Sequence, residues 1–265
     1  MTPTEMDANA SLPVILVHGA SHGAWCWYRI VASLRGAGVD ARAIDLPGHG
    51  MDRTPLPAVT LDSYADRVIE ALAMRDRPSL LVAHSMGGIV ASTVAERRPD
   101  LVAGLVYVSA FLLSSGETIG SFQKGSGLVS DFFSIVIPGR DAGTVAVAPG
   151  RRREILYAQS PDADVELARM LLAPQPLAPL QGPVVTSAER FGTIPKFFVR
   201  CLQDRVITPE MQDRMLSKTR CDHVFDIETD HSPFFSRSDE LHKAILDAAA
   251  ATDGARAIVK APTAA

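Results

Sequence analysis

The chain has 265 residues, 47% of them hydrophobic, and a formal net charge of −4. This length accommodates one α/β domain with an insertion or two small domains, and the apolar content suffices for a sizeable core. The net charge provides no electrostatic footprint for nucleic acid, and no run of about 18 apolar residues predicts a membrane span.

The cysteines and the N-terminal residues indicate the cellular compartment of the protein. The three cysteines lie far apart, without the spacing of metal ligands. Residues 1–11 are polar and acidic rather than basic and then apolar, so they predict no signal peptide. We therefore expect a cytoplasmic protein with no metal or organic cofactor and no nucleic-acid or membrane partner. The sequence leaves open whether it is a monomer or a homodimer.

Short apolar runs alternate with helical patterns along most of the chain. Apolar runs bounded by turn residues predict strands at 14–17, 39–46, 80–83, 105–110, 196–202 and 223–227. Helical periodicity and capping residues predict helices at 25–37, 61–74, 89–98, 209–218 and 237–250. Such alternation is typical of an α/β fold with a mostly parallel, doubly wound sheet, here of about six strands.

The alternation lapses after the fourth predicted strand. Residues 112–194 mix Gly, Ser and Pro with apolar clusters, and only two helices are predicted there, near 150–159 and 162–172. A long insertion in a compact fold is usually functional, so we predict a helical cap over the sheet edge. The chain then divides into a disordered lead, a core in two pieces, a cap and a loose tail, at 1–12, 13–111 with 195–250, 112–194 and 251–265.

The motif around Ser85 is the strongest indication of chemistry. A predicted buried strand precedes it and a helical pattern begins at Ile89. Small residues, Ala83 and Gly87, stand two positions before and after the serine, as in a nucleophile elbow, where a strained turn presents the hydroxyl above the sheet. The alternative is a strand-to-helix turn with an incidental serine, since short motifs often match by chance.

A serine nucleophile needs a base, and the base needs an orienting acid. Asp204 and His231 each follow a predicted strand, at the edge where open α/β sheets bind ligands. A right-handed crossover brings both loops to the edge that carries Ser85. Each residue also has a structural interpretation, because Asp204 can begin a turn and His231 can be an ordinary loop histidine. Glu117, after the fourth strand, is the rival acid.

A tetrahedral intermediate needs two hydrogen-bond donors for its oxyanion. The backbone N–H of Met86, directly after the serine, is one, and the N–H of Ala20 in the loop after the first strand is the natural second. The helix N-terminus after Ser85 also favours nearby negative charge. His18 and Gly19 can serve loop geometry alone, and we expect His18 to be structural.

With these residues placed, the sequence resembles the α/β-hydrolase superfamily over nearly its full length, including the order Ser, Asp, His. Residues 16–28, LVHGASHGAWCWY, are similar to the opening of the plant methylesterase and hydroxynitrile lyase family, and RFG at 190–192 also fits it. The loop DLPGHG at 45–50 is similar to its counterpart across the superfamily. The segment DHSPFFS at 230–236 resembles bacterial carboxylesterases, including pyrethroid-hydrolysing ones.

The resemblance implies an α/β-hydrolase fold with a catalytic triad of Ser85, Asp204 and His231. It also implies that the backbone N–H groups of Ala20 and Met86 form the oxyanion hole. We therefore predict a serine-dependent carboxylesterase that hydrolyses a neutral, hydrophobic or aromatic small-molecule ester through an acyl-enzyme intermediate.

Two departures from the family bear on the alternatives. The lyase branch carries a Thr beside the oxyanion loop and a Lys directly after the catalytic His, where this chain has Gly19 and Ser232. Neither residue supplies the positive charge that a leaving cyanide requires, which disfavours hydroxynitrile lyase activity. The third possibility is a small-molecule receptor on the same fold.

Aromatic residues of the cap suit an apolar pocket, and Phe122 and Phe133 are the favoured lining residues.

Overall fold

The computed structural model describes residues 11–128 and 130–260, in which nine strands form two sheets. In chain order the strands are β1 Val14–Val17, β2 Ala41–Ile44, β3 Ser79–His84, β4 Val102–Val108, β5 Val136–Pro138, β6 Thr144–Val147, β7 Gln175–Pro176, β8 Lys196–Cys201 and β9 His223–Ile227. The main sheet has the order β2-β1-β3-β4-β8-β9, and all of its neighbouring strands are parallel. The predicted α/β fold is confirmed.

Helices connect the strands of the main sheet and flank it. In chain order the α-helices of the described residues are α1 Tyr28–Gly36, α2 Leu61–Ala73, α3 Gly87–Arg97, α4 Ile119–Ser126, α5 Arg152–Leu156, α6 Asp162–Leu171, α7 Ala178–Gln181, α8 Pro209–Lys218, α9 Pro233–Ser236 and α10 Ser238–Lys260. Helix α1 packs with α10, and α2 packs with α3. Within the described ranges, no helix is both long enough and apolar enough to cross a membrane.

The order of the strands determines where a ligand can bind. Strand β1 is fully buried and pairs with β2 on one side and β3 on the other. The chain therefore leaves β1 in one direction and returns to its opposite side. The loops after β1 and β3 diverge at this switch point and leave a crevice at the carboxyl edge of the sheet. Four strands that precede the predicted site residues, β1, β3, β8 and β9, all end at this edge.

Capping residues set the start of two helices as the sequence predicts. The Thr60 side chain accepts from the Ser63 N–H at 3.1 Å, and the Ser63 hydroxyl accepts from the Thr60 N–H at 2.9 Å, which forms a capping box before α2. Thr208 caps α8 through the Met211 N–H, and Pro209 occupies its first position.

The cap segment, which we define as residues 112–194, contains an antiparallel sheet that the sequence does not predict. Its strands have the order β5-β6-β7 and are two to four residues long. Strands this short cannot show a recognisable alternation of apolar and polar residues. Pro138, which lies within β5, also argues against a strand there. Helix α5 is shorter than the predicted 150–159, whereas α6 lies close to the predicted 162–172.

The two predicted terminal segments fall partly outside the described residues, which exclude 1–10 and 261–265. Leu12, assigned to the disordered lead, is 3% exposed. Residues 251–260, assigned to the loose tail, continue α10 instead. The run of alanines at 248–251, which leads into this segment, favours helix. Thr252 packs closely on β4, because a Cβ on Gly104 would lie 2.8 Å from its hydroxyl oxygen, which donates to the Ala248 carbonyl within the helix at 2.8 Å.

Candidate active site

The turn after β3 presents Ser85 in a strained conformation. Its φ of 53° lies in the left-handed region, which is unfavourable for a residue with a side chain. Small residues make the turn possible, because a Cβ on Gly87 would lie 2.9 Å from the carbonyl oxygen of His18 and one on Gly88 would lie 2.5 Å from that of Phe111. The Phe111 N–H donates to the Ser85 carbonyl at 3.0 Å, which holds the turn against the loop after β4.

The three predicted side chains lie in one hydrogen-bonded row. His231 Nε2 is 3.0 Å from Ser85 Oγ, and His231 Nδ1 is 2.6 Å from Asp204 Oδ2. A carboxylate only accepts, so Nδ1 carries the proton and Nε2 is left to accept from the serine hydroxyl. All three residues are at most 7% exposed. The structure therefore brings together groups that are 146 positions apart in the chain.

Asp204 receives several hydrogen bonds besides that of His231. The N–H groups of Val206 and Ile207 donate to Oδ1 at 2.6 and 3.0 Å. The hydroxyl of Ser109 donates to Oδ2, the same oxygen that accepts from His231. Together these bonds fix the orientation of the carboxylate that contacts the imidazole.

Ser109 was missed by the sequence analysis. It directly follows β4, has a φ of 38° and is fully buried. The rule that led to Asp204, polar residues at the ends of parallel strands, would have found it. A serine offers only a hydroxyl, however, and its partner becomes evident only when β4 and β8 are adjacent.

Glu117, the rival acid, and Asp230, the sequence neighbour of His231, both have other partners. Glu117 accepts from the Ser114 N–H at 2.9 Å and pairs with Lys218 Nζ at 2.6 Å, in contact with neither Ser85 nor His231. Asp230 accepts from the Ser232 N–H at 3.0 Å and from the Gln159 N–H at 2.7 Å. Asp230 therefore supports the backbone around the histidine, and the contact with the imidazole belongs to Asp204.

His84, which directly precedes Ser85 in the turn, holds the backbone of His231. Its Nε2 donates to the carbonyl of His231 at 2.8 Å, and the two rings are 4.5 Å apart. Burial lowers the pKa of His84 well below its usual value, and the neighbouring His231 lowers it further. His84 is therefore neutral at pH 7 and adds no positive charge beside the imidazole. The sequence did not predict this contact.

The predicted oxyanion donors are the backbone N–H groups of Ala20 and Met86. Both Ala20 and Met86 line the same cavity as the serine. Neither backbone N–H donates to an acceptor among the described residues. Gly19 permits the close approach of this loop, because a Cβ there would lie 2.8 Å from Cβ of Ser85 and 2.9 Å from Nδ1 of His84.

Ser85 and His231 line an apolar cavity of about 150 Å³ between the core and the cap segment. Its wall includes aromatic and aliphatic side chains, among them Phe111, Phe132, Phe133, Val145, Leu156 and Leu177. Among the described residues that line it, none is Asp, Glu, Lys or Arg. Phe133 lines the cavity as expected, whereas Phe122 packs behind it, with its ring 6.3 Å from that of Phe111.

Metal ligation has no evident location in this part of the chain. Within residues 11–128 and 130–260, no group of three or more His, Cys, Asp or Glu side chains is arranged to hold a metal ion.

His18, which the sequence predicts to be structural, accepts from the Leu46 N–H at 3.1 Å and donates to the Gly19 carbonyl at 2.8 Å.

Known proteins share this fold and much of this sequence. The model of the alpha/beta hydrolase family matches residues 14–244. Methylesterase 7 of Arabidopsis thaliana is 35% identical over 259 residues, which cover 92% of this chain and 98% of that protein.

Solved structures agree with this assignment. The methylesterase protein MES16 from Arabidopsis is 26% identical, with a TM-score of 0.78, over 90% of this chain and 99% of that one. A pyrethroid hydrolase from Sphingobium faniae JZ-2 is 26% identical, with a TM-score of 0.79, over 91% of this chain and 98% of that one. The chain therefore belongs to the alpha/beta hydrolase family, as a carboxylic ester hydrolase of the methylesterase type.

Proposed function

We propose that the protein is a serine carboxylesterase that hydrolyses neutral, hydrophobic esters through an acyl-enzyme intermediate. One observation carries the proposal. Ser85, His231 and Asp204 form a continuous hydrogen-bonded row, with contacts of 3.0 and 2.6 Å, at the base of an apolar cavity. This is the geometry of an activated nucleophile, in which the base is within reach of the nucleophile and a third group orients the base.

The reaction begins when Ser85 Oγ attacks the ester carbonyl and His231 Nε2 takes the hydroxyl proton. Asp204 holds Nδ1–H and stabilises the imidazolium that forms. The imidazolium then protonates the departing alkoxide, which leaves an acyl group on Ser85. In the second half, His231 removes a proton from water, the hydroxide attacks the acyl carbonyl, and the acid is released as Ser85 regains its proton.

The N–H groups of Ala20 and Met86 stabilise the negative charge that develops on the carbonyl oxygen. They are suited to this role because both line the cavity beside Ser85 and neither has another acceptor in the described chain. Donors that are already oriented in a dry site need no reorganisation as charge develops. Removal of one such donor costs on the order of 10²- to 10³-fold in kcat.

The cavity wall supports a substrate that is apolar apart from its ester. A charged group placed against such a wall would lose its hydration without gaining a partner. Two similar proteins carry names that fit this chemistry, methylesterase and pyrethroid hydrolase. Hydroxynitrile lyase activity is disfavoured because Ser232, where the lyase branch has Lys, is buried and uncharged.

The Ser85→Ala variant tests the proposal. We expect hydrolysis of p-nitrophenyl acetate to fall by at least about 10⁴-fold, because the nucleophile is lost, with the thermal midpoint of unfolding close to wild type. Ser92→Ala is the matched control, since this buried serine bonds Tyr107 at 2.8 Å and lies outside the row. Wild-type turnover by Ser85→Ala would refute the nucleophile assignment. Release of cyanide from mandelonitrile would instead support the lyase alternative.

A further inference from the structure

The loop that carries Ala20 is held in place by the cap segment. We call residues 19–23 the oxyanion loop. The Tyr157 hydroxyl lies 2.7 Å from Nε2 of His22. The Ser21 N–H donates to Oε1 of Gln175 at 3.1 Å, and the Ser21 carbonyl accepts from the Ala173 N–H at 2.9 Å. These three partners all belong to the cap segment.

The direction of these hydrogen bonds can be assigned. His22 Nδ1 lies 2.8 Å from the carbonyl oxygen of Ala20, which only accepts, so Nδ1 carries the proton. Burial lowers the pKa of His22 to about 4, so the ring is neutral at pH 7 and holds only this proton. Nε2 must then accept, and Tyr157 is the donor. The hydroxyl of a cap residue therefore selects the tautomer that binds Ala20.

Both ends of one peptide group are fixed in this way. The Ala20 carbonyl accepts from His22, and the N–H of the same peptide group, that of Ser21, donates to Gln175. This group shares the Cα atom of Ala20 with the preceding peptide group, which carries the Ala20 N–H, so fixing it limits the positions that this N–H can take. His22, Tyr157 and Gln175 are each at most 3% exposed, so water does not compete for these bonds.

The loop also needs an external constraint because its backbone is strained. Ser21 has a φ of 64°, a left-handed conformation that is unfavourable for a residue with a side chain. Such a conformation persists only where surrounding contacts impose it. At Ser21, the cap segment supplies a partner for both the N–H and the carbonyl.

We propose that Tyr157 is a positioning residue for the oxyanion hole. Its hydroxyl acts through the His22 ring to fix the Ala20 peptide, so the second oxyanion donor is preorganised only when the cap is seated. This inference rests on the proposed esterase function. It adds that the cap segment, besides forming the wall of the cavity, sets part of the catalytic geometry.

Loss of the Tyr157 hydroxyl should lower kcat rather than raise KM. The oxyanion exists in the transition state and not in the bound substrate, so a misplaced donor lowers kcat and leaves KM nearly unchanged. A change that only loosened the cap would alter the apolar wall and act on KM. The two effects are therefore separable in one set of rate measurements.

The experiment compares Tyr157→Phe with Tyr28→Phe. Tyr28 also bonds across the boundary between core and cap, to Asp164 Oδ1 at 2.7 Å, and this bond involves no residue of the oxyanion loop. Each variant loses one hydroxyl. For Tyr157→Phe we expect kcat to fall by about tenfold or more, part of the effect of losing a whole donor, with KM within about twofold. For Tyr28→Phe we expect both constants to stay within about twofold.

A second readout uses a pair of inhibitors. An aryl trifluoromethyl ketone forms a tetrahedral adduct with a serine and places an oxyanion in the hole, whereas the matching alcohol does not. Tyr157→Phe should weaken binding of the ketone by the same factor as kcat/KM and leave binding of the alcohol unchanged. If Tyr157→Phe does not fold, Gln175→Met carries the same prediction, because it removes the acceptor at the other end of the peptide.

Equal effects of the two tyrosine variants, or a loss confined to KM, would overturn the inference. Failure of the proposed function is recognised separately. In that case the wild-type protein hydrolyses no ester, or Ser85→Ala retains its turnover. An active wild type, an inactive Ser85→Ala and a fully active Tyr157→Phe would refute only the role of Tyr157.

Discussion

The two halves of the candidate active site are held by different parts of the chain. Asp204 is bonded by Ser109 and by the amides of its own loop, and His231 by His84, all from the core. The oxyanion loop instead receives the bonds to His22 and Ser21 from the cap segment, through residues such as Tyr157, while its Gly19 carbonyl accepts from His18 of the core. The half with Asp204 and His231 therefore has its direct partners in the core, and the oxyanion half depends on the cap at His22 and Ser21.

The core sheet and the cap segment therefore have different roles in the site. Strands β4, β8 and β9 are hydrogen-bonded neighbours, so the loops that carry the acid and the base start from a rigid edge. The cap segment forms most of the apolar wall and also fixes a strained loop. We infer that substitutions in the cap that alter substrate preference also alter kcat whenever they disturb the contact with His22.

The largest effect is expected in the half of the site that the core holds. Asp204→Asn keeps the size of the side chain but favours the wrong tautomer of His231, so we predict a fall in kcat of about 10⁴-fold. Steady-state hydrolysis of a p-nitrophenyl ester measures it. Glu117→Gln is the control, because Glu117 pairs with Lys218 away from the site. A comparable loss in the control, with activity kept in Asp204→Asn, would reverse the assignment.

A smaller effect is expected in the oxyanion half. In Gly19→Ala the new methyl group would lie 2.8 Å from Cβ of Ser85, so the loop must move away from the nucleophile. A displacement of this kind can cost about 10²-fold in kcat. Gly36→Ala at the end of α1 serves as the control, since a Cβ there meets nothing within 4 Å. If Gly19→Ala proved as active as its control, the loop would not take part in catalysis.

Ser109→Ala removes one of the bonds to Asp204 while the amides of Val206 and Ile207 remain. We predict a fall in kcat of about tenfold, since a hydrogen bond to a charged group is worth about 1.5–3 kcal/mol and the remaining donors still orient the carboxylate. Ser109→Gly should behave alike, because it relieves the backbone strain but also lacks the hydroxyl. Full activity in the glycine variant alone would show that the backbone, and not the hydroxyl, matters.

The smallest effect concerns stability rather than turnover. Burial lowers the pKa of His22 to about 4 from its ordinary 6.5, and it also lowers those of His18 and His84. The unfolded chain therefore binds more protons than the folded one below pH 6.5, and stability falls as the pH drops from 6.5 towards 4. His22 alone predicts a loss of about 2 kcal/mol between pH 7 and pH 5.

Urea unfolding at pH 7, 6 and 5 measures this loss, and His22→Gln should reduce it. His223→Gln is the matched control, because this histidine is exposed. A free energy of unfolding that does not change over this range would mean that the buried histidines accept protons without opening the fold.

The positions of the core strands and of Ser85, Asp204 and His231 follow from the sequence for a physical reason. Strand-end positions are readable from apolar runs, so Asp204 and His231 follow from the fold class without knowledge of the side-chain packing. Tyr157 and Gln175 could not be found in this way, because their roles depend on which cap residue lies over the oxyanion loop. Strand β7, which carries Gln175, is two residues long and leaves no pattern.

The central claim is that Ser85 forms a covalent intermediate, and labelling of the wild-type protein with a fluorophosphonate tests it most directly. Peptide mapping by mass spectrometry should find one adduct, on Ser85, and the loss of ester hydrolysis should follow its formation. An adduct on another residue, or full loss of activity with Ser85 unmodified, would contradict the account.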